Sequence, residues 1–536
     1  MIRQPVPVLW SAVLGVTFGG IALAHETVQE QLGNVRFQVS CSSEAQAKFH
    51  RAMALYHSFD WGRGKAAFEE IARLDPRCAM AHWGLAMVAA DNPFAWQVSL
   101  KLKDGAEAIQ KAKDAGAGSP RERDYIEALE ALYRDHANTP HRPRALAYEQ
   151  AMEKLAAGYP DDVEAKILHA LAVSANHDLN DKKYERPLKA AALLEPLFAS
   201  HPQHPGVAHY LIHSYDYPPI AHKGLDAARR YAKVAPGAAH AQHMPSHIFT
   251  RVGLWRESIA SNRKSAEVDA GVKAQTPHAW DYLVYAYLQL AEDSAADQIW
   301  AQGRAAGPFK HQLGFSEVFG FAAIPARLAL EHGRWAEAAK IEKHPAVGAD
   351  DWNRFPHAES LLVFGRGHGA ARSGDAAGAR REIERLGELH KVLVERKLGY
   401  WAEQTEIQAQ VIAAWALRAE GKNDEALATM RAAAEREDGT EKHVVVPGPL
   451  VPARELLADL LLELGRPAEA LAQYEASIAK EPNRFRGLYG GALAAERAGN
   501  LARARAHYDK LLAVTAGSES KRPELVRARQ VLARQN

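Results

Sequence analysis

Cysteine is nearly absent: two in 536 residues, and not in a CxxC pair, which excludes both a disulfide framework and a thiolate-rich metal site. Excess charge is absent too. Lys and Arg number 66 against 65 Asp and Glu, so no field of one sign draws the chain to nucleic acid or to an anionic membrane. Alternating runs of β-branched residues hardly occur, which excludes a sheet-based fold. Beyond the first 24 residues no stretch is apolar enough to cross a bilayer, so no membrane insertion is expected of the mature chain. HExxH, a serine nucleophile elbow and a strand-led phosphate loop are all missing. Gly365-Arg-Gly-His-Gly is glycine-rich, but it follows a helical pattern rather than a strand. No general base stands out, so binding is expected before catalysis.

The first 24 residues themselves read as a secretory signal peptide. Arg3 gives a basic start, Val6 to Leu23 is uncharged, and Ala22-Leu23-Ala24 is a small-x-small cleavage pattern. An uncleaved anchor is the competing reading, and two prolines at the start of the run count against it. The mature protein is thus expected in the periplasm or outside the cell. In an oxidising compartment a Cys41–Cys78 disulfide is expected, contributing roughly 2–4 kcal/mol. Cleavage would leave His25 first, where amine and imidazole together can chelate copper; an accident of cleavage is the plainer account.

Hydrophobic residues make up 47% and charged ones 24%, which rules out large-scale disorder. Ala, Leu, Glu and Arg recur at helical spacing. A glycine followed five positions later by a small residue returns as Gly253/Ser258, Gly333/Ala338, Gly374/Ala379, Gly421/Ala426, Gly465/Ala470 and Gly499/Ala504. Glycine can close one helix in a left-handed conformation, and the small residue lets the next helix approach. Gly465, Ala470 and Tyr474 return 34 residues later as Gly499, Ala504 and Tyr508; Phe68 and Asp75-Pro76 hold like places near the start. This pattern resembles the tetratricopeptide repeat (TPR) family over most of residues 44–515. The resemblance implies an all-α solenoid of helix-turn-helix units, and a protein or peptide partner in its inner groove.

Three stretches interrupt the pattern: 308–325, 341–357 and the proline-rich 437–452. A boundary within the second divides the mature chain into arrays spanning 25–345 and 346–536.

Histidine is the residue in surplus, with 25 copies, and eight fall between His201 and His247. His209 and His213 lie four apart on one helix face, with Asp216 continuing the stripe. His240, His243 and His247 form a second stripe, and His209/His243 and His213/His247 are each 34 residues apart. The shared register puts both stripes side by side on the groove wall, about 8–10 Å apart. Five imidazoles and one carboxylate suit a three- or four-ligand Zn, Cu, Ni or Fe ion, while lack of thiolate speaks against Cu(I). His278 and Asp281, three apart on the next first helix, extend the patch although their 34-residue phase is lost. Pro245 either spoils the second stripe or aims His247 inward.

Other readings stand beside the metal. The histidines can hold a metal-free network with Tyr210, Tyr215 or Tyr231, or grip an acidic peptide when protonated. His50, His57 and His82 fit a groove wall with Trp61 and Trp83 better than a second cluster. An open metal position would also permit a metal-dependent hydrolase or oxidase. The His209-Tyr-Leu-Ile-His213 and His243-Met-Pro-Ser-His247-Ile-Phe segments, with Cys78-Ala-Met-Ala-His-Trp, resemble a group of exported bacterial TPR proteins. That resemblance implies fold and export, and no activity.

Overall fold

The computed structural model describes residues 30–269, 276–309 and 312–534, apart from the side chains of 97 and 98. The signal-peptide reading of residues 1–24 lies outside them. The described residues are helical, without a strand. Helix pairs follow one another from Ser43–His57 with Trp61–Leu74 to Phe485–Arg497 with Leu501–Val514, and Pro523–Arg534 ends the chain.

The repeated glycines act as their spacing implies. Gly253, Gly333, Gly374, Gly421, Gly465 and Gly499 all have φ between +62 and +84°. Each ends a first helix where an L side chain would be strained. Ser258, Ala338, Ala379, Ala426, Ala470 and Ala504 are fully buried against the preceding helix. Gly253 has a second constraint: a Cβ there would stand 2.5 Å from the Pro482 carbonyl oxygen.

The Cys41–Cys78 disulfide is formed, with the Cα atoms 5.0 Å apart. It ties the residue ahead of the first helix to the N-cap of Ala79–Ala90. The connection expected over 308–325 is shorter than its proline suggests. Helix Phe315–Glu331 starts on a capping interaction between Gly314 and Glu317 and runs through Pro325. Burial of Val318, Phe321, Ala322 and Leu330 outweighs the one hydrogen bond that Pro325 forfeits. Over 341–357 a short helix, Ala349–Arg354, precedes Pro356 at the head of the next.

Two features make this solenoid close on itself. First, its C-terminal helices return to its middle. The Trp255 indole N–H donates to the Asn483 carbonyl at 2.9 Å, and the fully buried Arg484 reaches Tyr285, Glu331 and Glu455. Second, the non-helical segment 440–451, which turns at His443–Val446, crosses the concave side. Lys182 and Tyr184 hold Glu441, Tyr400 accepts the His443 N–H, and Arg327 donates to the Gly448 and Pro449 carbonyls. The chain thus lays its own peptide across the groove. No helix of the described residues is long and apolar enough to cross a membrane.

Candidate metal centre

Three consecutive first helices carry the cluster. Pro205–Tyr215 presents His209 and His213 one turn apart. Ala239–His243 and Pro245–Arg251, joined at Met244, present His240, His243 and His247. Pro245 begins the second of these rather than breaking the stripe, since its missing N–H falls where a first turn needs none. Thr276–Gln289 adds His278.

These six imidazoles fall into two triads. His209, His213 and His240 have nitrogens all within 4.8 Å of one another, and so do His243, His247 and His278. Every member but the half-buried His240 is buried. Burial pushes the pKa values of His209, His213, His243 and His278 well below the ordinary histidine value, and the neighbouring imidazoles push the same way. Burial also lowers His247, against the pull of Asp216. These five rings are therefore neutral at neutral pH, the form that binds a metal.

Outer contacts fix which nitrogen carries the proton. His247 Nδ1 donates to the Asp216 carboxylate at 2.9 Å. His209 Nδ1 donates to the His57 carbonyl at 2.6 Å. His243 Nδ1 lies 2.6 Å from Asn262 Oδ1, whose orientation is set because Asn262 Nδ2 donates to the Ser258 carbonyl. Each Nε2 is then left with a lone pair, and His243 Nε2 and His247 Nε2 face each other at 3.0 Å. Two such lone pairs repel unless a cation lies between them. The Tyr282 hydroxyl is 3.5 Å from His247 Nε2 and also faces the Val444 carbonyl at 3.4 Å, so it relieves little. Both ring nitrogens of His213 are buried without a hydrogen-bond partner, which costs roughly 1–3 kcal/mol when nothing else satisfies them.

Asp216 sits behind the imidazoles rather than among them. Arg251 donates to its carboxylate at 2.8 Å and Lys442 lies 3.3 Å away. Burial alone would raise its pKa, but Lys442 and Arg251 outweigh burial and hold it well below the carboxylate range. Burial in turn lowers Lys442 to about 8. Asp281 points elsewhere, to the buried Arg327 at 2.6 Å. Phe59 and Phe94 wall the first triad, with Phe94 stacked on His213 at 3.9 Å between ring centres.

A third group, His57, Glu164 and His204, lies behind His209. Here the carboxylate satisfies both rings, at 2.9 and 2.8 Å, and His57 Nδ1 meets the Tyr210 hydroxyl. This group is a hydrogen-bonded network linked to a tyrosine, with only His204 Nδ1 left without a partner. Tyr231 stacks on His209, whereas Tyr215 turns away to Glu195. Sequence reasoning passed over Asn262, Tyr282, Glu164 and Lys442. Asn262, Glu164 and Lys442 come from parts of the chain outside the repeated histidine stripes, and Tyr282 lies one turn beyond His278 on the same helix.

An all-α helix-pair solenoid with a histidine centre on its concave side is the class that fold and site define. The tetratricopeptide repeat model matches residues 49–120 and 455–520, so the chain carries such repeats at both ends. No curated relative matches the sequence. Solved structures similar to it include the Cut9–Hcn1 hetero-tetramer of APC/C, at 13% identity over 92% of this chain and 76% of that one, with a TM-score of 0.37. Yeast Tom70 is similar at 13% identity over 92% and 90%, with a TM-score of 0.28. The human IFIT1 dimer with m7Gppp-AAAA is similar at 10% identity over 82% and 90%, with a TM-score of 0.36. Those scores are low, and no property of these proteins is carried over.

Proposed function

We propose that this is an exported TPR binding protein, periplasmic or secreted, that holds a transition-metal ion in its concave face through His243 and His247 with His209, His213, His240 and His278 around them. The observation that carries the reading is the 3.0 Å approach of the His243 and His247 Nε2 atoms, each with its proton committed to Nδ1 by Asn262 or Asp216. Buried imidazoles held from behind by a carboxylate or amide oxygen are the usual outer arrangement of a metal site. An imidazole-rich set suits Zn, Cu, Ni or Fe. The repeat fold adds an expectation of a protein partner, and the metal or its bearer would be delivered by or to that partner.

Elemental analysis of the purified, untagged protein tests this beside a His213→Ala/His247→Ala variant. Near-stoichiometric metal in the native chain, lost in a variant with unchanged circular dichroism, is expected. No metal in either protein after loading and desalting overturns the reading.

A metal-free scaffold that grips a peptide or envelope protein is the second reading. The non-helical 440–451 segment favours it, because its backbone is held across the groove by Tyr400 and Arg327. On that reading groove substitutions release a partner from pull-downs and leave metal content untouched.

A further inference from the structure

The two triads do not share a residue, and they are built alike. His209 and His213 lie one turn apart on one first helix and take His240 from the next. His243 and His247 lie one turn apart on that next helix and take His278 from the one after. The first two members are displaced by 34 residues, the repeat length. The third is displaced by 38, four more than the repeat, which is one helical turn further along the same face. The solenoid has therefore copied a ligand set along its own axis.

The copies also touch. His213 and His247 ring centres are 5.8 Å apart, and those of His240 and His243 are 5.9 Å apart. Within each triad one nitrogen pair already has the separation a metal needs. Two nitrogens at tetrahedral angles around an ion, each about 2.0–2.1 Å from it, stand about 3.3 Å apart. The His209–His240 and His243–His247 Nε2 pairs are at 3.2 and 3.0 Å.

From this duplication, resting on the metal reading above, we propose that the centre takes two ions side by side, one per triad, closed by a small bridging anion such as hydroxide. The anion follows from charge. Six neutral imidazoles bring none, and Asp216, which holds His247, already faces Arg251 and Lys442. Two divalent ions in so buried a place need a negative partner between them. Three protein ligands on each ion leave a position open for it.

The test is titration of the metal-free full-length protein with Co(II) alone. It is followed by d–d absorption, by elemental analysis after desalting, and by the low-temperature EPR signal per cobalt. Two equivalents in the native chain, with the EPR signal per cobalt falling as the second binds, are expected. The His240→Ala and His278→Ala variants should each keep one equivalent with an undiminished signal. His240 is half-buried and therefore a mild substitution, and His213→Asn provides a second probe of the first triad if it misfolds. One equivalent in the native chain overturns the pair and leaves the single-ion reading standing. No cobalt in any of them overturns both.

Discussion

An imidazole that donates through Nδ1 can offer only a lone pair at Nε2, so outer partners decide what the centre can bind. Asn262 does this for His243 with a neutral amide oxygen. Replacing it, as Asn262→Leu, frees the ring to take the other tautomer. Metal affinity, measured by chelator competition, should fall about 10–100-fold. An unchanged affinity would mean that Asn262 does not hold the proton on Nδ1. At this scale the sequence was informative where a histidine repeats with the helix pair. The 34-residue register exposed His209, His213, His243 and His247, and the structure gathers them. His278 stood one turn out of phase yet on the right face. Asp281, three residues on, meets Arg327 instead, a partner that no local spacing reveals. Asn262 and Lys442 were illegible for the same reason.

Among the elements, the non-helical segment 440–451 shapes the site most. Its prolines ruled out helix in the sequence, but its path across the concave side depends on Lys182, Tyr400 and Arg327, far away in the chain. The helix leading into it carries a pH-sensitive joint. Glu437 is half-buried and accepts the Ala453 N–H at 2.7 Å, across the base of the segment. Burial pushes its pKa up to about 7. The folded chain therefore retains a proton that the unfolded chain releases near its ordinary pKa of about 4.3. The stability this confers is complete below that lower value and is lost as pH rises through about 7. Glu437→Gln keeps the acceptor and removes the ionisation. The variant should match the native chain in urea denaturation at pH 4 and exceed it at pH 8 by up to about 3 kcal/mol. Equal stabilities at pH 8 would contradict a raised pKa at Glu437.

For the whole molecule, the repeat pattern foretold a helix-pair solenoid with an inner groove for a ligand or partner, and glycine spacing marked the ends of first helices correctly. Closure was not foretold. It depends on single contacts between distant residues: Trp255 to Asn483, Arg484 to Glu455 and Tyr285, and Lys442 to Asp216. The result is that the imidazoles lie buried beneath the chain's own segment, where an unpaired lone pair is costly and, on the proposed reading, a cation relieves it. The most direct test of that claim is an anomalous-difference map from crystals of the metal-loaded protein, collected at the metal's absorption edge. A peak about 2.0–2.1 Å from both His243 Nε2 and His247 Nε2 is expected. A map without that peak, with the two nitrogens still about 3.0 Å apart, would place a shared proton there and contradict a metal centre.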